Sequence, residues 1–184
     1  MKTNRVRIIG GEWRSRIIQF PDGGALRPTP DRVRETLFNW LGQDLTGLTC
    51  LDLYAGSGAL GFEAASRGAR EVVLVEQDSG VCTALEANRT ALAATQTRVV
   101  RANALTFLRM DRGVYDVVFL DPPFASDPWT GLFECLAARL STTARVYRES
   151  GREVTTPPGF MVLKRGKAGQ VFYQLLGRMD QENT

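Results

Sequence analysis

The chain has 184 residues, 43% of them hydrophobic and 23% charged, with 23 Lys and Arg against 20 Asp and Glu. This composition excludes a disordered or fibrous chain, and the length predicts one main domain with room for a short appendage. Histidine is absent, which excludes Ser-His-Asp triads, Cys-His pairs and His-ligated zinc, so we expect no metal site. Catalysis would have to use carboxylates, amides, backbone groups or a cofactor.

The N-terminal segment, residues 1–26, predicts a basic β-hairpin extension. RVRIIGGEWRSRIIQF contains short runs of β-favouring residues around Gly10 and Gly11, a pattern typical of two strands joined by a tight turn. The first 34 residues carry eight Lys or Arg against three acidic residues, a net charge of +5. Such an arm suits contacts with phosphate, although a solvated strand pair would have the same composition.

A larger domain is predicted over residues 27–184, and it opens with a helix. Thr29 is the predicted N-cap, Pro30 the first helical residue and Asp31 the acidic partner of the helix dipole. Apolar residues then recur with helical spacing until about Gly42.

Strands alternate with helices from residue 48 onward. The predicted strands are LTCLDLY, VVLVE, RVVRA, YDVVFLD and ARVYRE, a helix follows each of the first four, and FMVLK and VFYQLL form a closing hairpin around KRGKAGQ. This order predicts an α/β fold with a mostly parallel sheet, whose ligand crevice lies at the carboxyl ends of the strands.

A glycine loop after the first of these strands predicts a nucleotide site. Gly56, Gly58 and Gly61 match GxGxxG, and Glu76 ends the next strand twenty residues after Gly56. This pattern alone indicates a dinucleotide enzyme. Asp52, inside the first strand, points to a different ligand, because a buried carboxylate needs a partner and the cationic S-adenosylmethionine would supply one. Loop amides could equally well satisfy Asp52.

The segment Asp121-Pro122-Pro123-Phe124 ends the fourth strand. Two prolines fix the backbone, so Asp121 and the Pro122 carbonyl are expected to point into the crevice beside the Phe124 ring. Two such acceptors and an aromatic face suit a planar base that carries an exocyclic amine. A strand-ending turn would explain the four residues taken alone, but their register with DLYAGSG and VEQD favours the base site.

LDLYAGSGALGFEA, VEQD, NAL and LDPPF resemble, in this order and spacing, the class I S-adenosylmethionine-dependent methyltransferases that modify exocyclic amines. The flanks RIIGGEWRSRII, LRPTPDRVRETLFNWL, RVVRANALTFL and KRGKAGQVFYQLL are similar to the RsmD-like family of bacterial methyltransferases, which act on guanine N2 of 16S ribosomal RNA. The resemblance extends to about residue 176 and implies a Rossmann-like sandwich with a seven-stranded sheet and a C-terminal antiparallel hairpin.

The resemblance also implies roles for individual residues. It assigns Asp121, Pro122, Pro123 and Phe124 to the target base. It assigns to the cofactor Asp52, Tyr54, Gly56, Gly58, Glu76, Gln77, Asn103, Ala104, Arg27 and Thr29. For RNA contacts, the basic segments supply Arg5, Arg7, Arg14, Arg16, Arg32, Lys164 and Lys167, with Arg165 beside them. Asn103 stands where many methyltransferases have an acidic residue, and we expect its side-chain carbonyl to meet the adenine amino group.

The implied function is methyl transfer to a guanine of 16S rRNA, in a 30S subunit or an assembly intermediate, by a monomeric cytoplasmic enzyme. The isolated Cys50, Cys82 and Cys135 and the lack of a signal sequence or of an apolar stretch of about 18 residues agree with that compartment. DPPF also occurs in adenine-N6 methylases. An NAD-dependent oxidoreductase and a non-catalytic RNA-binding assembly factor are the alternatives from other classes.

Overall fold

The computed structural model describes residues 3–22, 29–123, 129 and 131–179. Within them lie nine strands and five helices. In chain order these are β1 (Thr3–Arg7), β2 (Ile17–Pro21), α1 (Asp31–Leu41), β3 (Thr49–Asp52), α2 (Ala59–Ser66), β4 (Glu71–Glu76), α3 (Ser79–Ala91), β5 (Thr97–Arg101), α4 (Ala104–Met110), β6 (Tyr115–Leu120), α5 (Leu132–Ala137), β7 (Leu140–Ser150), β8 (Phe160–Ala168) and β9 (Val171–Arg178). No helix of the described part is long and apolar enough to cross a membrane.

The main sheet has seven strands in the order β5-β4-β3-β6-β7-β9-β8. The first five are parallel, whereas β9 runs antiparallel to both β7 and β8. This confirms the predicted mostly parallel sheet with an antiparallel C-terminal hairpin. The chain order reverses at β3, which pairs with β4 on one side and β6 on the other, and ligands bind at such switch points in open α/β sheets.

Both faces of the sheet are covered, which explains the nearly continuous apolar runs in the strands. Successive residues of β3 point to opposite faces: Cys50 belongs to one hydrophobic cluster and Leu51 to the other. The first cluster contains side chains from α1, α2 and α3, and the second contains side chains from α4 and α5. The sheet thus forms the middle layer of a three-layer sandwich.

The N-terminal hairpin packs on this sandwich. β1 and β2 pair antiparallel as predicted, but the tight turn around Gly10 and Gly11 is wrong, because nine residues connect the strands. That connection packs on the end of α2: the Glu12 N–H donates to the Ser66 carbonyl at 2.7 Å, and the Trp13 N–H to Ser66 Oγ at 2.8 Å. Tertiary hydrogen bonds therefore replace those of a short turn. The boundary between an N-terminal extension, residues 1–26, and a larger domain, residues 27–184, stays a prediction.

A buried ion cluster fixes the hairpin to α1 and α2. Arg34 and Glu63 are both fully buried and pair at 3.4 Å, and Arg67 pairs with the other Glu63 oxygen at 2.8 Å. Glu63 also accepts the Ile9 N–H at 2.8 Å, while Arg34 donates to the Arg7 carbonyl at 2.8 Å. Because each charge has a partner, the cost of burial is offset, and the hairpin backbone is tied to the cluster.

Two further local predictions are wrong. Pro30, rather than Thr29, is the N-cap of α1, and α1 has no side-chain cap. The loop predicted at KRGKAGQ is mostly strand, since Lys164, Arg165 and Lys167 lie in β8 and the turn is confined to residues 169–170. At Thr29 a long-range hydroxyl bond to Glu149 overrides the local pattern, and at KRGKAGQ the pairing of β8 with the neighbouring β9 does so.

We expect Gly11→Ala to destabilise the protein more than Gly169→Ala. Both glycines have positive φ, which costs other residues about 1–2 kcal/mol. At Gly11 a Cβ would also lie 1.9 Å from the Ser66 carbonyl oxygen, whereas at Gly169 it would meet nothing within 4 Å. Urea unfolding should show a loss of about 2–5 kcal/mol for Gly11→Ala and about 1–2 kcal/mol for the control. Equal losses would contradict the assigned contact between the hairpin and α2.

Candidate active site

Three carboxylates lie at the carboxyl ends of adjacent strands. Asp52 is the last residue of β3, Glu76 the last of β4, and Asp121 follows β6 directly. Since β4, β3 and β6 are neighbours in parallel register, the three side chains share one edge of the sheet. Their position is the crevice expected at the switch point of the sheet.

Asp52 is the most deeply buried of the three, with 1% of its surface exposed. Its Oδ2 accepts the Gly61 N–H at 3.0 Å, as the loop-amide interpretation predicts. A Cβ on Gly61 would lie 2.1 Å from Leu74 Cδ2 and 3.2 Å from Asp52 Oδ2, so glycine is what allows α2 to approach the carboxylate. Burial, together with the negative charge of Glu76, raises the pKa of Asp52 to about 7, although the backbone hydrogen bonds from Gly61 and Tyr54 oppose that rise.

Glu76 connects the glycine loop to β4. Its Oε2 accepts the Gly56 N–H at 3.1 Å, and its Oε1 accepts the N–H groups of Gln77 and Asp78 at 2.8 and 2.9 Å. A carboxylate offers about four acceptor sites, so half-buried Glu76 retains acceptor capacity for a vicinal diol. Together with Asp52, this pair of hydrogen-bond acceptors fits a nucleoside ligand that carries a positive charge.

Tyr54 and Asn103 flank the two carboxylates. Burial raises the pKa of the Tyr54 phenol to about 12, so its hydroxyl stays neutral beside the glycine loop. Asn103 lies at the end of β5 and is the N-cap of α4, where its Oδ1 accepts from Leu105 N and Thr106 N at 3.0 and 3.3 Å. The side-chain carbonyl that we expected to meet adenine is therefore already a helix cap. Ala104, the first residue of α4, is buried.

Asp121 belongs to a polar network that joins the end of β6, the strand β7 and the segment before α1. The Thr29 hydroxyl lies 3.0 Å from Glu149 Oε1 and 3.4 Å from Asp121 Oδ2. Tyr147 donates its hydroxyl to the same Glu149 oxygen at 2.7 Å. Burial, followed by the negative charges of Glu149 and Asp52, raises the pKa of Asp121 well above its usual range. Burial also raises the pKa of Glu149, although the two hydroxyls oppose that rise.

Sequence analysis missed Glu149 and Tyr147. Glu149 is 3% exposed, and both residues point to the same face of β7. The available signal was a carboxylate two residues after a tyrosine in a predicted strand. Thr29, which was expected to cap α1, instead bridges Glu149 and Asp121.

Of the other residues predicted for the base and the cofactor, some lie within the described part of the chain and some do not. β6 ends at Leu120, directly before Asp121, which confirms the predicted abrupt end of this strand. Of the two prolines that follow Asp121, Pro122 is buried and Pro123 is exposed. Phe124 and Arg27 lie outside the described residues.

The residues predicted for RNA contact are exposed, but three of them have partners within the protein. Arg16 donates to the Ala91 carbonyl at the end of α3 at 2.7 Å, and Arg7 pairs with Asp31 at 3.4 Å. Lys167 lies 4.5 Å above the Phe172 ring. The other exposed residues of this set are Arg5, Arg14, Arg32 and Lys164.

Comparison with known proteins identifies the family. Residues 6–177 match the family described as "Conserved hypothetical protein 95". Ribosomal RNA small subunit methyltransferase D of Escherichia coli is 42% identical over 184 residues, 97% of this chain and 93% of the relative. The chain belongs to this methyltransferase family. Membership removes the basis for the NAD-dependent alternative.

The fold of this chain is similar to that of solved structures of methyltransferases. The yhhF structure from Escherichia coli has a TM-score of 0.87 and 43% identity, covering 97% of this chain and 100% of that chain. The Thermus thermophilus 16S rRNA N2 G1207 methyltransferase (RsmC), in complex with AdoMet and guanosine, has a TM-score of 0.72 and 22% identity, covering 97% of this chain and 50% of that chain. These likenesses confirm the predicted methyltransferase fold.

We expect Asp52→Asn to weaken the dependence of stability on pH. The pKa of Asp52 is about 7 in the folded protein against an ordinary value of 3.8. A raised carboxyl pKa means that the folded state loses stability as pH rises through that interval, by about 4 kcal/mol for this shift. Urea unfolding between about pH 4 and pH 8 should therefore show a smaller loss for Asp52→Asn than for the unsubstituted protein.

The control for this comparison is Glu35→Gln, which changes an exposed carboxylate of α1. It should leave the slope of stability against pH unchanged. Parallel curves for Asp52→Asn and the unsubstituted protein would contradict the assigned burial cost, since Asp121 and Glu149 titrate in both proteins.

Proposed function

We propose that the protein transfers a methyl group from S-adenosylmethionine to the exocyclic N2 amine of a guanine in 16S ribosomal RNA. The observation that carries this proposal is the half-buried Asp121 carboxylate, placed by the two prolines after β6 one strand away from Asp52. One carboxylate is thus suited to the methyl donor and its neighbour to the amine that receives the methyl group. Membership in a ribosomal RNA methyltransferase family supports the substrate class.

The cofactor site that we propose comprises Asp52, Tyr54, the glycine loop and Glu76. S-adenosylmethionine, when bound, supplies an electrophilic methyl group on a positively charged sulfur. Asp52 would offer the opposite charge, and since a nearby cation favours the ionised carboxylate, binding should lower its pKa. Glu76 would accept the ribose hydroxyls, and Gln77 and Ala104 would line the adenosine end. Asn103 would contribute the backbone geometry at the end of β5, because its Oδ1 caps α4.

Asp121 would act directly on the target amine. An aromatic amine is a weak nucleophile, because its lone pair is conjugated with the ring. As N2 forms its bond to the methyl carbon, the electron pair of the broken carbon–sulfur bond stays on sulfur, and N2 must lose one proton. A carboxylate that accepts an N–H of this amine stabilises the developing positive charge and takes the proton. The Pro122 carbonyl is the second acceptor that we propose.

The RNA would approach this acidic site with its target base unstacked, as chemistry on a base generally requires. The phosphates would contact the exposed arginines of the hairpin and the lysines of β8. Arg5 and Arg14 suit this task best, because Arg7 and Arg16 have the protein partners described above. The proposed partner is 16S rRNA in a 30S subunit or an assembly intermediate, and the proposed compartment is accordingly the cytoplasm. A monomeric state stays a prediction.

We expect Asp121→Ala to abolish methyl transfer while leaving cofactor affinity near normal. Loss of a preorganised acceptor for transition-state charge typically costs about 10²–10³ in rate. Single-turnover transfer measures the first quantity, and calorimetry with S-adenosylmethionine measures the second. Unchanged turnover would remove Asp121 from the mechanism, whereas cofactor binding without turnover in the unsubstituted protein would favour a non-catalytic assembly factor.

The product identifies the base. Mass analysis of nucleosides from modified 16S rRNA should show N2-methylguanosine. N6-methyladenosine would instead indicate the adenine-N6 alternative, which DPPF alone permits.

We expect the arginines of the hairpin to contribute unequally to RNA affinity. Removal of one arginine–phosphate interaction should lower the slope of log affinity against log salt by about 0.7–0.9. Arg5→Gln and Arg14→Gln should each reduce this slope, measured by titration at several salt concentrations. Arg16→Gln is the matched control, because Arg16 is bonded to Ala91, and it should change the slope less. An equal effect of all three would assign Arg16 to the RNA as well.

A further inference from the structure

The Thr29 hydroxyl lies between two carboxylates but has only one proton to donate. Its oxygen is 3.0 Å from Glu149 Oε1 and 3.4 Å from Asp121 Oδ2. If both carboxylates were ionised, Thr29 could satisfy one of them and would face the other with a lone pair. If one carboxyl is protonated, the Thr29–Glu149 contact and the Thr29–Asp121 contact can each be a hydrogen bond with its own proton. The geometry therefore favours a single proton shared by the pair.

The other groups around the pair indicate where that proton resides. Glu149 Oε1 receives the Tyr147 hydroxyl at 2.7 Å in addition to Thr29, so the ionised form of Glu149 has two donors. Asp121 has Thr29 alone and faces the negative charges of Asp52 from β3 and Glu149 from β7. The Tyr173 ring of β9 lies beside the Tyr147 ring, with the ring centroids 6.5 Å apart. No ion pair among the described residues includes Asp121 or Glu149.

We propose that Glu149 is a positioning residue that acts through the Thr29 hydroxyl, sharing one proton with Asp121 and so setting the pH range in which Asp121 accepts the target amine. This inference rests on the proposed role of Asp121. In the resting site the proton is on Asp121, whose carboxyl hydroxyl donates to Thr29, while the Thr29 hydroxyl donates to Glu149.

The proton balance of the reaction follows from this arrangement. The resting pair first releases its proton to solvent, leaving Asp121 ionised and able to accept an N–H of N2. When N2 gains the methyl group it loses one proton, and Asp121 takes it. The pair has then returned to its one-proton state with no other reactant. One proton leaves for each methyl group transferred, as the conversion of a sulfonium to a neutral thioether requires.

The test is the pH profile of the single-turnover rate at saturating S-adenosylmethionine and RNA, for variants that remove either the charge of Glu149 or the hydroxyl of Thr29. Glu149→Gln removes a like charge beside Asp121, so the midpoint of the acidic limb should move down by about one pH unit. At one pH unit below the original midpoint, this variant should be about fivefold faster than the unsubstituted enzyme. Thr29→Val removes the hydroxyl that accepts from protonated Asp121 and donates to Glu149, so its midpoint should also move down.

Two controls separate this role from a structural one. Thr29→Ser retains the hydroxyl and should retain the midpoint. Thr36→Val removes a hydroxyl that bonds to the Arg32 carbonyl within α1, and it should also leave the midpoint in place. A purely structural effect would lower the rate at every pH without moving the midpoint. If Glu149→Gln does not fold, Tyr147→Phe serves instead, because the loss of its hydroxyl moves the shared proton toward Glu149 and lowers the midpoint.

The outcomes also distinguish this inference from the proposed function. An unmoved midpoint in the Glu149 and Tyr147 variants, together with loss of turnover in Asp121→Ala, would overturn the shared proton and leave the role of Asp121 intact. Full turnover in Asp121→Ala would overturn both. Equal shifts in Thr29→Ser and Thr29→Val would show that the hydroxyl has no part in setting the midpoint.

Discussion

Burial of carboxylates at one edge of the sheet is the constraint on which the site depends. Asp52, Glu76 and Asp121 end three neighbouring parallel strands, so the fold places like charges together where water has limited access. Backbone N–H groups compensate Asp52 and Glu76. Asp121 has no such donor among the described hydrogen bonds and depends on Thr29. A site of this kind favours a positively charged ligand and amine donors, because both reduce the repulsion that the fold itself creates.

The sequence could predict what depends on periodicity and on strand ends. Alternating apolar strands and helices predicted the parallel sheet, and the acidic residues that end those strands had to meet at one edge because parallel strands share their direction. Two of the incorrect predictions concern segments whose conformation is determined by distant residues. Gly11 is part of a long connection because Ser66 supplies its neighbours with hydrogen bonds, and Thr29 leaves the helix end because Glu149 lies within reach of its hydroxyl. Local propensity contains no information on either partner.

Glu149 shows the same limit within the site. The alternation of β7 places Tyr147 and Glu149 on one face, yet nothing in YRE reveals that this face meets the segment before α1. The pairing of β7 with β6 brings Glu149 close to Asp121, and the N-terminal segment then completes the network with Thr29. Three chain segments more than 25 residues apart thus determine the environment of one carboxylate. Such a network can be read only from the folded chain.

The charge distribution assigns different tasks to the hairpin and the sheet. Phosphates would be repelled by the carboxylates of the site, so in the proposed complex the RNA backbone would remain at the rim while a neutral base enters the crevice. The hairpin supplies positive charge without disturbing the site, because Arg34 and Glu63 tie it to α1 and α2 through a cluster in which each charge is paired. Arg7 and Arg16 attach the same hairpin to α1 and α3, so Arg5 and Arg14 are the hairpin arginines that we propose for the phosphates. In the proposed complex one basic segment would therefore serve both the stability of the protein and the approach of its substrate, with different arginines for the two tasks.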